Sequence, residues 1–263
     1  MKTRMIISVL AGAFISFWIN SCGGINLFSI EDDKQLGQQV DEEIQADPSQ
    51  YPILDENQFP DAYAYLKDIR DEILDSGEVE HTNDFVWQVK IIEDDNVLNA
   101  FSVSGGYLYF YTGLIKYVDT EDAFAGVMAH EIAHAARRHV TESLTEQYGL
   151  SLLLEAVLGN RIDIIQEIAG GLASLAFSRE NESEADEFSV IYLSKTRYQC
   201  NGAALFFEKL INEGKADGGT PEFLSTHPNP ENRVEAINNQ AIQLGCSTTP
   251  SDRNYQAFKE MLP

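Results

Sequence analysis

The sequence predicts an α+β fold that is mostly helical and contains a small antiparallel sheet. Residues with β-branched and aromatic side chains concentrate in one stretch, 85–111. Two segments with helical periodicity precede this stretch, and nearly everything from Glu121 to about Leu244 is helical in pattern as well. A chain of 263 residues with 44% hydrophobic content is long enough to bury one large core.

The individual elements follow from periodicity and from the breaks between segments. SIEDDKQLGQQVDEEIQ predicts a helix that begins near Ser29, because acids fill its first turn and apolar residues recur every fourth position. A second helix is predicted for 61–75. FVWQVKII (85–92) and YLYFYTGL (from 107) have strand character, and the Gly-Gly before the latter suggests a turn between antiparallel strands. The later apolar segments are short and each contains a glutamate, which is typical of buried helices rather than membrane spans.

The first residues resemble a bacterial lipoprotein signal. Basic residues precede an apolar run from Met5 to Ile19, which ends in a lipobox-like sequence at Cys22. We therefore expect a signal peptide at 1–21, a lipid anchor on Cys22 that holds the protein at a membrane, and a tether at 22–30. An ordinary secretory signal or an uncleaved anchor fits less well, because Ile19 is too large for small-x-small cleavage and the run is short for a span.

The packed domain is predicted to cover 31–246 and to be followed by a C-terminal tail at 247–263. The formal charge of −24 argues against nucleic acid as a partner, because the phosphates would be repelled. Cys200 and Cys246 form an even pair in a compartment that we expect to be oxidising, which predicts a disulfide. Two free thiols are the alternative.

The segment HEIAH carries the first chemical signal. On a helix, His130 and His134 lie four residues apart on one face and can present two imidazoles to one metal ion. Glu131 then lies beside the metal, where its carboxylate can accept a proton from water. The alternative is an amphipathic helix that happens to contain histidines. His139 lies about two and a half turns from His130 and is therefore predicted on the opposite face, near the helix end.

A third metal ligand must come from elsewhere. The metzincin pattern is excluded because Arg137 and Val140 stand where its glycine and histidine would be. Glu155 lies at roughly the right distance for a thermolysin-like ligand. FSRENESEADEF offers a second candidate, in which Glu182 and Asp186 share a helix face, so that Asp186 can orient a ligand histidine. On that face Arg179 can balance the acids, whereas Glu184 is predicted to face solvent. A charged, solvated helix face is the alternative.

Several ordered motifs resemble the HtpX/Oma/CAAX-prenyl-protease family of zinc metallopeptidases, in its secreted lipoprotein branch. They are LGQQVDEEI, NAFSVSGGYLYFYTGL, AHEIAHAARRH, SRENESEADEF and STHPNPENR. The resemblance implies a gluzincin-like fold with the sheet next to the HExxH helix, and one Zn²⁺ per chain bound by His130, His134 and Glu182. It also implies Glu131 as general base and Asp186 as the residue that orients a ligand. Ser104 departs from the family pattern, which often has proline there.

Two further sites are weaker predictions. Gly105 and Gly106, followed by Tyr107 and Tyr109, could begin an edge strand beside the metal helix, to which a peptide substrate adds as an extra strand. A core strand after a tight turn explains the same pattern.

The second site is the loop that contains His227. We expect His227 to lie near the open zinc position, where it either stabilises the oxyanion or fills that position in a latent state. Arg233, one turn into the next helix, would hold the loop or stabilise the transition state. A simple helix-start loop is the alternative.

Together these features predict a zinc-dependent endopeptidase of the bacterial cell envelope, lipid-anchored at the outer membrane. Its predicted substrates are unfolded, misfolded or misassembled envelope proteins, so its expected role is quality control. The competing hypothesis is a non-catalytic, zinc-stabilised, chaperone-like lipoprotein. A structural zinc site, however, closes its fourth position and has no use for a general base such as Glu131.

Overall fold

The computed structural model describes residues 28–215, 222–227, 230–251 and 254–263. The predicted signal peptide and the predicted lipidation site Cys22 lie outside these residues. The mostly helical α+β fold is confirmed. Its helices are α1 (Ile30–Ala46), α2 (Pro60–Leu74), α3 (Thr112–Tyr117), α4 (Glu121–Ala136), α5 (His139–Tyr148), α6 (Leu150–Val157), α7 (Ile162–Gly171), α8 (Arg179–Leu193), α9 (Gly202–Asn212), α10 (Glu222–Thr226), α11 (Pro230–Leu244) and α12 (Tyr255–Lys259).

Helix α1 begins where the sequence predicts it. The Ser29 side chain accepts a hydrogen bond from the backbone N–H of Asp32, whose carboxylate accepts one from the Ser29 N–H. This reciprocal pair satisfies two N–H groups that have no partner within the helix. The buried residues of α1 face the sheet and α7, and Gly37 lets the helix approach the backbone of Ser104, because a Cβ there would meet the Ser104 carbonyl oxygen at 1.8 Å.

Within the described residues, the sheet has three strands, β1 (Gln88–Ile92), β2 (Ala100–Val103) and β3 (Tyr107–Tyr111), in the order β1-β3-β2. Strands β2 and β3 are antiparallel, but β1 and β3 are parallel, so the sheet is mixed and the predicted antiparallel sheet is wrong in this respect. Gly105 and Gly106 turn the chain at φ of +78° and +92°, which glycine adopts without strain. This turn returns β3 alongside β2, and β1 then pairs with the remaining edge of β3.

Strand β3 is therefore the central strand, and the predicted edge strand at Tyr107 is wrong. All five of its residues are buried, because helices cover both faces of the sheet. Leu108 and Phe110 pack into the core around α4, whereas Tyr107, Tyr109 and Tyr111 pack into a second core with α1, α6 and α7. This alternation is the two-residue period of a strand.

Helix α4 is the centre of the larger core, and each of its residues is buried. It packs against α8 and α9, and its Gly126 lies directly against the start of α9. A Cβ on Gly126 would come within 2.0 Å of the backbone nitrogen of Ala203. A helix buried on all sides has no polar face, so any charged group that it carries must find partners inside the protein.

The ends of the packed unit differ from the predicted boundaries. Phe28 is already buried, although the tether was predicted to continue to residue 30. At the other end, α12 inserts Phe258 into the main core, where its ring stacks on Tyr65 with centroids 4.2 Å apart. The boundary predicted at 246 therefore divides a continuous packed unit. Cys200 and Cys246 are joined by a disulfide, which links α11 to the turn before α9. Among the described residues, none of the helices combines the length and apolarity needed to cross a bilayer.

Candidate metal centre

Helix α4 places two imidazoles at the centre of the molecule. Thr120 caps the helix by accepting a hydrogen bond from the backbone N–H of Ala123. About three and four turns after Thr120, His130 and His134 are 2% and 0% exposed, and their Nε2 atoms are 3.0 Å apart. The i, i+4 spacing thus brings both ring nitrogens to one point, as the sequence predicts.

Helix α8 brings a carboxylate to the same point. Ser178 caps this helix, which packs along α4, and Glu182 lies in its first turn. One carboxylate oxygen of Glu182 is 3.3 Å from Nε2 of His134, and the other is 3.6 Å from Nε2 of His130. The distant glutamate and the HEIAH histidines are therefore neighbours. Glu155 lies on α6 and is not part of this group.

His227, which follows α10, completes the group. Its Nδ1 is 2.8 Å from an oxygen of Glu182 and 3.3 Å from Nε2 of His130. The ring stacks on Phe223 with centroids 4.3 Å apart and is 1% exposed. One ligand atom each from His130, His134, Glu182 and His227 lies within 4.8 Å of the others, so the four residues could hold a metal ion.

The donor set fits a zinc-type ion. Three imidazole nitrogens and one carboxylate oxygen are ligands that zinc accepts in tetrahedral sites. The ionisation state of Glu182 is also that of a metal ligand. Burial tends to raise the pKa of Glu182, but the nearby charges of His227 and Arg233 outweigh burial and hold this pKa well below its usual range. Glu182 therefore stays ionised, as a metal ligand must.

Glu131 places a buried carboxylate beside the metal-ligand group. It is 0% exposed, and among the described residues neither of its carboxylate oxygens has a hydrogen bond of good geometry, although Ser102 is close enough to lower its pKa. One of its oxygens lies 3.5 Å from Nε2 of His227. Burial raises the pKa of Glu131 against the opposing influence of His227 and His130. A buried carboxylate without a well-formed hydrogen bond is costly, which marks Glu131 as a candidate functional residue.

Asp186 lies one turn beyond Glu182 and contacts the other nitrogen of a ligand ring. Its oxygen is 3.1 Å from Nδ1 of His130, which fixes the tautomer that leaves Nε2 of His130 free for the metal. In the metal-free protein, burial lowers the pKa of His130, but hydrogen bonds with Asp186 and Glu182 outweigh burial and raise it to about 9.

Arg233 is the counter-charge for these acids. Its Nε and Nη2 donate to Asp186 at 2.7 and 2.6 Å, and its Nη1 lies 2.7 Å from Glu182. Nη1 also donates to the carbonyl oxygen of His227 at 3.3 Å, so Arg233 holds the loop. Arg179, predicted for the balancing role, is exposed and pairs with none of the acids in the described part of the chain. That prediction is wrong because α11, which is remote in sequence, delivers Arg233 to the buried side of the acids.

His139 and Glu184 also lie differently from their predicted positions. The predicted helix ends at Ala136, and Arg138 adopts a left-handed conformation with φ of 65°. The chain changes direction at Arg138, so His139 does not continue the turn of α4. Its Nδ1 lies 3.0 Å from Nδ1 of His134 instead of on the opposite face. Glu184, predicted to face solvent, contacts Nε2 of His139 at 3.0 Å. Helical periodicity could not reveal this contact because the helix does not continue.

The four predicted substrate-binding residues lie away from the metal ligands. Tyr107 and Tyr109 face α1, and the Tyr109 hydroxyl donates to Asp41. Gly105 and Gly106 form the turn that packs on α1 and on Trp87. Strand β2, not β3, is the edge strand that packs against α4.

Comparisons with known proteins agree with this geometry. The model of peptidase family M48 matches residues 60–241. The beta-barrel assembly-enhancing protease of Escherichia coli (strain K12) is 29% identical over 182 residues, which cover 64% of this chain and 37% of that protein. The protein of the same name from Yersinia pestis is 30% identical over 178 residues, 63% of this chain and 36% of the relative.

A mitochondrial relative matches the same region. The mitochondrial metalloendopeptidase OMA1 of Arabidopsis thaliana is 30% identical over 160 residues, which cover 60% of this chain and 32% of that protein. The chain thus spans about a third of the length of these curated relatives. The family match confirms the resemblance seen in the ordered motifs, and the metal-ligand group lies within the matched residues. The chain belongs to peptidase family M48.

Proposed function

We propose that this chain is a zinc-dependent endopeptidase of the bacterial cell envelope and that it hydrolyses misfolded or misassembled envelope proteins. The observation that carries the proposal is the buried carboxylate of Glu131, which lacks a well-formed hydrogen bond among the described residues and lies 3.5 Å from His227, in the group of His130, His134, Glu182 and His227. A site that only stabilises the fold has no need of this carboxylate.

In peptide hydrolysis, each residue of the site would have a distinct role. His130, His134 and Glu182 would hold the zinc ion, whose chemistry is to polarise a carbonyl group and to acidify water. Glu131 takes the proton from the attacking water and returns it to the leaving amine, for which its raised pKa is suited. Asp186 keeps His130 in the correct tautomer, and Arg233 keeps Asp186 in place.

We further propose that His227 holds the site in a latent state. Its ring occupies the side of the ligand group that a catalytic zinc site keeps open for water and substrate. The turn Leu172–Ser174 also packs along β2, where Asn99, next to the strand, donates to the carbonyl oxygen of Ala173 at 2.9 Å. A substrate that pairs with the edge of β2 would have to displace that segment.

His227→Ala distinguishes the two roles predicted for this residue. If His227 closes the site, the variant cleaves unfolded protein faster than the wild type. If it stabilises an oxyanion, the variant is slower, by about 10²–10³-fold as for other oxyanion donors. An unchanged rate contradicts both roles.

One observation favours the non-catalytic alternative, a zinc-stabilised chaperone-like lipoprotein: four protein ligands surround the site, as in structural zinc centres. The two functions make different predictions for a single substrate presented in two forms. A peptidase cleaves the reduced, unfolded form of a disulfide-bonded protein, spares its oxidised form, and stops when zinc is chelated. A chaperone-like module prevents aggregation of the reduced form and leaves it intact, a result that would overturn the proposed activity.

The proposed location rests on two supports. Relatives from Escherichia coli and Yersinia pestis are named beta-barrel assembly-enhancing proteases. The sequence also predicts lipidation of Cys22, which would anchor the chain to the outer membrane, only a few residues before the packed Phe28. Metabolic labelling with a tritiated fatty acid tests this directly. The wild type should carry label and sediment with outer membranes, and Cys22→Ser should do neither; an unlabelled wild type contradicts the anchor.

A further inference from the structure

A fourth buried histidine, His139, lies next to the metal-ligand group and is not part of it. His139 is 1% exposed, and its ring lies 5.0 Å from that of His134, measured between centroids. The backbone conformation that places it there is uncommon, because Arg138 is left-handed with φ of 65°. A non-glycine residue pays for this conformation, so the turn that delivers His139 is maintained against a local cost.

The contacts of His139 form a continuous chain of hydrogen-bonding groups. Its Nδ1 is 3.0 Å from Nδ1 of His134, and its Nε2 is 3.0 Å from a carboxylate oxygen of Glu184. The other oxygen of Glu184 accepts from Nε and Nη2 of Arg137, at 2.9 and 2.6 Å. Arg137 in turn donates to Glu80 at 2.7 Å. Every group between His134 and the outer acids is therefore engaged.

Glu184, at the outer end of this series of contacts, determines the direction of the hydrogen bonds. The carboxylate of Glu184 can only accept, so Nε2 of His139 must carry a proton and donate it to that oxygen. In a neutral imidazole, Nδ1 of His139 is then an acceptor. The partner of that acceptor is Nδ1 of His134, which must donate.

This direction leaves His134 in one tautomer. With its proton on Nδ1, the lone pair of His134 is on Nε2, the atom that faces Glu182 at 3.3 Å and His130 at 3.0 Å. That is the tautomer a metal ligand needs. Asp186 performs the same task for His130. Among the residues that the structure describes, no carboxylate contacts Nδ1 of His134, which instead contacts His139, the histidine between itself and Glu184.

We propose that His139 is a positioning residue for the metal ligand His134, and that it transmits the orientation set by Glu184 and Arg137. This inference rests on the proposed function, because it assumes that zinc binds between His134 and Glu182. His139 does not touch the zinc or the substrate. Its effect is on how tightly the metal is held.

The test compares two substitutions that differ in one property. His139→Phe keeps an aromatic ring of similar volume but removes the acceptor that faces His134. His139→Asn is smaller but keeps an acceptor oxygen near the position of Nδ1. His81→Asn is a control at a histidine outside this chain of contacts, whose φ of 56° asparagine tolerates. Zinc affinity is measured by competition with a chromogenic chelator, and the melting temperature of each metal-free variant is recorded.

His139→Phe should weaken zinc binding by about 10–100-fold, the usual effect of removing an outer partner of a ligand histidine. His139→Asn should retain affinity within about threefold of the wild type, and His81→Asn should equal it. If His139→Phe binds zinc as tightly as the wild type, or if the Asn and Phe variants are equally weak, the inference is overturned while the proposed function stands. If the wild type binds no zinc, both are overturned.

Discussion

Arg233 offers a quantitative test of how the buried acids of the site are balanced. Its side chain is 7% exposed and forms ion pairs with Glu182 at 2.7 Å and Asp186 at 2.6 Å, whose side chains are 4% and 5% exposed. Arg233→Met keeps much of the apolar stem but leaves two buried carboxylates without their cation. Loss of one partner of a buried pair costs about 3–5 kcal/mol. For a domain of this size that corresponds to a melting temperature about 6–20 °C lower.

The metal state changes this cost in a predictable way. A zinc ion bound to Glu182 would neutralise one of the two carboxylates, so in the zinc-loaded protein we expect the loss to fall to about half, ~2 kcal/mol. Arg179→Met is the matched control, because Arg179 and Arg233 line one cavity between α8 and α11 but Arg179 is exposed. Surface substitutions usually change stability by less than about 0.5 kcal/mol. Thermal unfolding monitored by circular dichroism, with and without chelator, measures all four cases. Equal losses for the two arginines, or equal losses with and without zinc, would refute the electrostatic reasoning.

Three further predictions concern packing and metal uptake. Gly126→Ala forces α4 away from α9 and should lower the free energy of unfolding in urea by about 1–3 kcal/mol. Gly171→Ala is the control and should be nearly neutral, because its added Cβ meets nothing within 4 Å. Similar urea midpoints for the two variants would contradict the close approach of α4 and α9. Because the pKa of His130 is about 9 in the metal-free protein, zinc must displace its proton. Apparent affinity should therefore rise about tenfold per pH unit between pH 7 and 9, and a flat profile in competition titrations would disprove this displacement. Phe258→Ala should cost about 3–5 kcal/mol and the exposed Met261→Ala little; equal effects on melting temperature would show that α12 is not part of the core.

The local parts of the site were predictable because their geometry is set within one helix. The spacing of His130 and His134 determines a shared face, and the spacing of Glu182 and Asp186 does the same on α8. That these two pairs meet follows from the family motifs and not from periodicity, since spacing alone left Glu155 open as an alternative ligand.

The missed features depend on tertiary structure. Strand β3 is central because β1 pairs with β3 and not with β2. The alternation of residues along a strand does not show which neighbouring strand it pairs with. Arg233 rather than Arg179 balances the acids because α11 docks against α8, a contact that no local spacing shows. His139 escaped prediction because a left-handed residue interrupted the helix at Arg138, a position without the glycine or asparagine that usually marks such a turn.

The most direct measurement concerns Glu131, since the proposed peptidase activity depends on its carboxylate. Glu131→Gln keeps the shape of the side chain and removes its ability to accept a proton. Zinc content and cleavage of an unfolded protein such as casein are measured together on the wild type and the variant. We predict one zinc ion per chain in both proteins, cleavage by the wild type, and a rate at least about 10²-fold lower for the variant. Equal cleavage by the two proteins, or a wild type that binds zinc and cleaves neither casein nor damaged envelope proteins, would contradict the proposed function.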